Sequence, residues 1–415
     1  MIGGDFLSFN ETPRANRLHI GFYGRRNAGK SSLINLLTGQ NTALVSEFAG
    51  TTTDPVIKSM ELPPLGPITI IDTAGLDDEG SLGELRISKS KKMMEQTDLA
   101  ILVIPAHCAE NIEDEKLWLN DLITMDIPVL GVINQIKEST TEKITSIKET
   151  IEKELGIPFI VLSSLDKRDR AELLSAIVQN APTAFESSTL VGDLFSPGAL
   201  VVLVMPQDIQ APKGRLILPQ VQVMRDILDN EGFVLASSVD KLPMLLDSLK
   251  NPPDLVITDS QYFSEVNSLL HENIPLTSFS IIYARNKGDL DLFIHGAKFI
   301  ANLKEYDKVL IAEACTHAPL TEDIGREKIP RWLKTKFGEN LQVDIVSGID
   351  FPDNLKEYAL IIHCGGCMFT RKQLMSRLIK ADNLDIPITN YGLTIAFLNN
   401  ILDRSTEIFT NKEIK

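Results

Sequence analysis

Residues 24–31 read Gly24-Arg25-Arg26-Asn27-Ala28-Gly29-Lys30-Ser31 and fit the spacing G-x-x-x-x-G-K-S. That spacing suits a polyphosphate. The glycines let the backbone turn its N–H groups inward around phosphate oxygens. Lys30 places a point charge on the outer phosphates and Ser31 offers a hydroxyl to magnesium. Ser32 follows in the helix, whose positive end would face the anion. Downstream, Asp72-Thr73-Ala74-Gly75 closes an apolar run. An aspartate at a strand end can hold magnesium through water, and the Gly75 N–H can sense the terminal phosphate. Between them, Gly50-Thr51-Thr52-Thr53-Asp54 has the composition of a switch loop, with Thr52 completing the magnesium shell.

A second constellation lies far along the chain. Glu313-Ala314-Cys315-Thr316-His317 and His363-Cys364-Gly365-Gly366-Cys367 hold three of the four cysteines and two of the six histidines. Thiolates are soft ligands that favour zinc or an iron–sulfur cluster. The two glycines would let the backbone wrap a bulky centre. The residue types point to Cys315, Cys364 and Cys367 as ligands, with the fourth position open or filled by His317, His363 or Glu313. A structural zinc site of three cysteines and one histidine uses the same residues, and buried cysteines with no metal are the plain alternative. Cys108 reads as a packing or loop residue.

Both constellations need strands to position them. Apolar runs at 18–23, 68–71, 99–104, 128–133 and 159–162 alternate with helical patterns, among them 31–38 and the spacing of Ile144, Ile147, Ile151 and Leu155. Such alternation predicts a parallel sheet with helices on both faces. Pro182, serines and Ser196-Pro197-Gly198 mark a break. Beyond it, runs at 199–205 and 255–258 predict a small α/β middle block. Runs at 279–283, 308–312, 342–346 and 359–362 predict a third block, again α/β. The expected division is a tail over 1–17, then domains over 18–185, 192–272 and 273–415. No internal repeat is evident. Both cysteine segments fall just past the carboxyl ends of expected strands, where open α/β sheets bind ligands.

The chain carries 41 basic and 56 acidic residues for a net charge of −15, which disfavours nucleic acid as a partner. No apolar run reaches the ~18 residues of a membrane span. No signal peptide is evident, so a cytoplasmic location and no membrane association are expected.

GRRNAGKS, GTTTD and DTAG resemble the translation-factor-related GTPases of the Era and TrmE type. The resemblance implies GTP and magnesium as cofactors, with base contacts from Asn134, Ser163 and Ser164. Asn27 matches the asparagine that accompanies potassium-assisted hydrolysis in such GTPases. Leu76 stands where Ras-like proteins have a water-orienting glutamine, so slow intrinsic turnover is expected. Lys30, Asn27, Thr52 and Gly75 are the expected catalytic set. One departure is clear: the family has Asn-Lys-x-Asp where this chain has Asn134-Gln135-Ile136-Lys137. A lysine cannot accept the guanine hydrogen bonds that the aspartate takes, so weak selectivity for GTP over ATP is expected.

The GTPase segment, the loop Ala211-Pro212-Lys213-Gly214-Arg215, and the two cysteine segments together resemble the maturation GTPases of iron-only (FeFe) hydrogenases. That resemblance covers essentially the whole chain. It implies a 4Fe-4S cluster on the three cysteines with an exchangeable fourth ligand, and a middle domain that makes a homodimer. It also implies a scaffold and carrier role. A transient two-iron (2Fe) precursor is received from two radical-SAM maturases and delivered to the apo-hydrogenase. A regulatory GTPase with a zinc domain that docks a partner protein is the alternative.

Overall fold

The computed structural model describes residues 17–39, 56–73, 93–108, 111–134, 141–182, 189–205, 216–314, 323–348, 351–352, 354–366 and 369–410. Two compact units divide the chain, residues 1–187 and 188–415. No helix among the described residues is long and apolar enough to cross a membrane.

In the first unit, β1 (Leu18–Tyr23), β2 (Val56–Leu62), β3 (Gly66–Asp72), β4 (Leu99–Pro105), β5 (Val129–Asn134) and β6 (Phe159–Leu162) form one sheet in the order β2-β3-β1-β4-β5-β6. Neighbours are parallel except β2, which runs antiparallel to β3 at the edge. The expected buried strands are all present. β2 is an addition to them, because VIKSMEL lacks the unbroken apolar run by which a strand covered on both faces is legible.

Successive side chains of a strand point to opposite faces, and β4 shows what that does here. Leu99, Ile101 and Val103 pack with Leu33, Leu37 and Ile177 from the helices Lys30–Thr38 and Arg170–Asn180. Ala100, Leu102 and Ile104 pack on the other face with Trp118, Leu122 and Ile151 from Glu113–Thr124 and Thr141–Leu155. This buries the sheet on both sides and leaves its carboxyl edge for the loops.

The second unit holds two four-stranded sheets. β7 (Leu200–Val204), β8 (Phe233–Ser237), β9 (Leu255–Thr258) and β10 (Leu276–Ser278) lie in the order β10-β9-β7-β8. β11 (Lys308–Glu313), β12 (Gln342–Ser347), β13 (Leu360–His363) and β14 (Ile388–Asn390) lie in the order β12-β11-β13-β14. All pairs are parallel. In both sheets the first strand sits between the second and the third, and the fourth lies outside the third. The two sheets therefore repeat one topology, although no sequence repeat marks it. One apolar cluster serves both, joining Val202, Val256 and Leu276 to Leu310, Ile361 and Ile388.

Two features differ from the sequence reading. The expected boundary near 272 falls ahead of β10, yet β10 pairs with β9 in the earlier sheet. The strand expected at 279–283 is a helix, Phe279–Lys287. A five-residue apolar run does not distinguish a strand from a buried helix. The cap decides it: Ser278 is extended and its hydroxyl accepts the Ile281 N–H at 3.3 Å.

Candidate functional site

The phosphate loop joins β1 to the helix Lys30–Thr38. Its turn needs three residues with positive φ: Gly24 at 148°, Asn27 at 60° and Gly29 at 93°. A Cβ on Gly24 would lie 2.4 Å from the Val103 carbonyl oxygen, and one on Gly29 would lie 1.9 Å from Asn134 Nδ2. Glycine is therefore required at both. Asn27, the exposed position between them, is a residue type that tolerates this conformation. Lys30 is buried, and its Nζ donates to Gly24 O at 2.7 Å and Arg25 O at 2.9 Å. Its charge thus lies over the loop that is to receive phosphate.

Ser31 Oγ donates to Asp72 Oδ2 at 2.7 Å, so two of the expected magnesium residues are already in contact. Burial pushes the Asp72 carboxyl up, while the Ser31 hydroxyl and the Lys30 charge pull it back. A divalent cation would act in the same direction as Lys30. Thr73 Oγ1 donates to Phe22 O at 2.5 Å and ties the end of β3 to the end of β1. Thr52, Gly75 and Leu76 lie outside the described residues.

At the base side, Asn134 ends β5 and is fully buried. Its Nδ2 donates to Ala28 O at 2.9 Å, and its Oδ1 accepts the Ser164 N–H at 3.1 Å. One amide therefore joins the phosphate loop to the expected base loop. Ser163 N donates to Asp169 Oδ2 at 2.6 Å, which holds that loop from the other end. Gln135 and Lys137 lie outside the described residues. One contributor was missed by sequence reasoning. Arg25 pairs through Nε and Nη2 with the buried carboxylate of Glu115, at 2.8 and 2.9 Å, and Nη2 also donates to Asn111 O at 2.6 Å. No motif flags Glu115, which lies 90 residues from Arg25.

In the second unit, β11 and β13 are adjacent, with Ala312 paired to His363. The chain leaves these two strands toward opposite edges of the sheet, which opens a crevice at their carboxyl ends. Cys364 stands there. Its N–H donates to Ala312 O at 2.9 Å, and its Sγ accepts the Ala314 N–H at 3.0 Å. Cys364 thus touches the residue directly before Cys315, so the two cysteine segments meet at one sheet edge. Cys315, His317 and Cys367 lie outside the described residues. Among the described residues no three His, Cys, Asp or Glu side chains group to hold a metal. The described part fits a soft metal centre in one respect, since an N–H aimed at the sulfur favours the thiolate.

His363 is fully buried and faces away from that role. Its Nδ1 lies 2.8 Å from Cys364 O and its Nε2 lies 3.0 Å from Arg377 Nη1. Nδ1–H therefore donates to the carbonyl, and Nε2 accepts from the guanidinium. No ring nitrogen is left for iron, which corrects the expectation of His363 as a fourth ligand. Glu313 Oε2 accepts from Arg326 Nε and Nη2 at 3.1 and 2.8 Å and from Ser347 Oγ at 2.8 Å. That carboxylate oxygen is committed to tying β11 to β12.

Burial, and then the charge of Arg377, push the His363 pKa down to about 3 from 6.5. Between those values the unfolded chain binds a proton that the folded unit refuses. Stability contributed by neutral His363 is therefore full above pH 6.5 and is lost as pH falls below it. The slope is up to ~1.4 kcal/mol per pH unit. Urea midpoints at pH 7, 6 and 5 should fall accordingly, and His363→Asn should flatten the trend.

Comparison with known proteins gives three matched segments, one in the first unit and two in the second. A family model described as 50S ribosome-binding GTPase matches residues 19–135. The Hydrogen maturase F dimerization domain matches 190–288, and the Hydrogen maturase F tetramerization domain matches 291–408. Among curated relatives, the tRNA modification GTPase MnmE of Geobacillus thermodenitrificans is 32% identical over 172 residues, covering 41% of this chain and 35% of that protein. GTPase Der of Nitratiruptor sp. is 25% identical over 307 residues, covering 69% of this chain and 60% of its own length. The chain spans only 35 to 42% of the length of the first MnmE relatives. A solved structure of Aquifex aeolicus Era bound to GDP.AlF4- is 19% identical with a TM-score of 0.35, covering 53% of this chain and 93% of that one. The first unit is a GTPase domain, and with two hydrogen maturase F domains behind it the chain belongs to the hydrogen maturase F family of hydrogenase maturation GTPases.

Proposed function

We propose that this protein is a GTP-hydrolysing scaffold and carrier for the two-iron subcluster of FeFe-hydrogenase. The observation that carries the reading is the meeting of the cysteine segments at the β11/β13 crevice, where Cys364 Sγ accepts the N–H of Ala314. Cys315, Cys364 and Cys367 hold a 4Fe-4S cluster there, with His317 or Glu313 as the exchangeable fourth ligand. When bound, the cluster supplies an open iron position to which a two-iron cargo can attach and from which it can leave. A surface strand end and one replaceable ligand suit a carrier, since a site closed by four cysteines would not release its load.

The nucleotide site times this exchange. Lys30 and the loop N–H groups grip the phosphates, Ser31 and Asp72 hold magnesium with Thr52, and the Gly75 N–H reads the terminal phosphate. Asn27, exposed on the loop, is the group that would hold potassium. Partners are the radical-SAM maturases and the apo-hydrogenase. The dimerization domain match supports a homodimer, and an exposed Phe233 at the start of the edge strand β8 offers a surface for one. The acidic balance disfavours nucleic acid.

Anaerobic reconstitution with iron and sulfide tests the reading. The expected product is brown, shows the EPR signal of a reduced 4Fe-4S cluster, and loses both with Cys364→Ala. A colourless protein with stoichiometric zinc would sink the scaffold reading in favour of a zinc domain that docks a partner.

A further inference from the structure

The structure assigns Lys287 and Arg377 a shared role as positioning residues, which hold the backbone on either side of Cys367, at Gly366 and Phe369, and the His363–Cys364 turn for a cluster. The inference rests on the cluster reading above and names residues that no cysteine motif contains. Lys287 is the last residue of the helix Phe279–Lys287 and is buried. Its Nζ donates to Phe369 O at 2.8 Å and lies 3.5 Å from Gly366 O. Those two carbonyls bracket Cys367. The tie is reciprocal, because Arg371 Nη1 reaches back to Asn286 O at 2.7 Å and Gly288 O at 3.1 Å. The end of one helix and the loop before the next are thereby clamped together.

Arg377 acts from the other side. It lies on the helix Arg371–Asp382, which starts directly after the loop with a reciprocal cap between Thr370 and Gln373. Its guanidinium is buried between the rings of Phe369 and Phe351, 4.5 and 4.9 Å from their centres. Nη2 donates to Gly348 O at 2.6 Å and Nη1 to His363 Nε2 at 3.0 Å. Occupying Nε2 leaves the imidazole proton on Nδ1, which donates to Cys364 O. The N–H, carbonyl and sulfur of Cys364 are then all held, by Ala312, His363 and Ala314. Burying two cations is costly. Here Lys287 bonds carbonyls beside Cys367, and Arg377 bonds His363 and ties it to Gly348 O after β12; preorganised outer partners of this kind commonly change metal affinity by ~10- to 100-fold.

The test uses the full chain, purified cluster-free and reconstituted with iron and sulfide. Lys287→Met and Arg377→Met should fold and bind iron, but release it to a chelator ~10- to 100-fold faster than wild type. Their reduced clusters should show a broadened EPR signal. Lys287→Gln, which keeps a donor for the carbonyls, should recover most of the retention. Arg404→Met breaks a comparable arginine hub on Asn267, His271 and Ile274, away from the loop. It should leave iron retention and EPR unchanged. Hydrogen exchange on cluster-free protein should show faster exchange at Cys364 and Phe369 in the Lys287 and Arg377 variants alone. If Arg377→Met does not fold, Arg377→Lys decides, because it keeps the charge and loses the fork. Wild type that binds iron while all variants match it overturns this inference alone. Wild type that takes up no iron removes the cluster reading and the inference together.

Discussion

Lys30→Met should leave the protein folded and reduce GTP hydrolysis by at least ~100-fold, the usual effect of removing a group aimed at charge that develops in the transition state. The side chain is buried, and its Nζ already bridges the Gly24 and Arg25 carbonyls. A methionine of similar length fills the space without the charge. Two carbonyls lose a donor, but the loop is still held by backbone turns, the Asn134 amide and the Arg25–Glu115 pair. The protein should melt within a few degrees of wild type, because the apolar cluster beneath the helix Lys30–Thr38 is untouched. Turnover assayed with magnesium, in potassium and in sodium, checks the expectation. Hydrolysis within a few-fold of wild type would remove Lys30 from the chemistry. The same assay on wild type tests Asn27, for which potassium should accelerate turnover and sodium should not.

Arg25→Met should destabilise the first unit by about 3 kcal/mol, within the range for breaking a buried ion pair from one side. Glu115 is almost wholly buried and burial pushes its carboxyl up, while Arg25 opposes that shift. Removing the guanidinium leaves the carboxylate with a desolvation penalty and its main partner gone. The consequence reaches the site, because Arg25 anchors the phosphate loop to the helix Glu113–Thr124. Urea unfolding should show the loss at pH 7. The double variant Arg25→Met with Glu115→Gln should recover part of it, since the unpaired charge is then removed. Full additivity of the two substitutions would show that the pair is not coupled.

These two residues illustrate how legibility divides. Lys30 sits in a contiguous motif whose spacing is the chemistry, so its role is read without any fold. The ion pair of Arg25 with Glu115 matters only because the helix after β4 passes beside the phosphate loop, and no local pattern encodes that approach. The same contrast holds in the second unit. Cys364 is legible as a ligand type, but its sulfur's donor, Ala314 N–H, is a backbone group that only parallel pairing of β11 and β13 brings near. His363 looks like a ligand by proximity to Cys364, and it is instead turned into the core by a hydrogen bond from Arg377, 14 residues away.

The elements divide likewise. The run LAILVIP, apolar and buried at every position, announces a buried parallel strand, because burial on both sides favours apolar residues on both faces. Three-residue strands such as β10 and β14 are too short to carry a period, and the 279–283 run becomes a helix through the Ser278 cap and its packing. The repeated topology of the two sheets in the second unit also left no sequence trace, since many apolar sequences satisfy one strand order. Residue type and spacing were therefore sufficient for the GTPase phosphate motif and the α/β class, and they nominate the soft-ligand set that is proposed above, all of which are local or periodic properties. Strand order, the crevice between β11 and β13, the fate of His363 and the partners of Arg25, Lys287 and Arg377 were decided by tertiary packing, because each depends on groups that are distant in the chain and adjacent only after the sheets form.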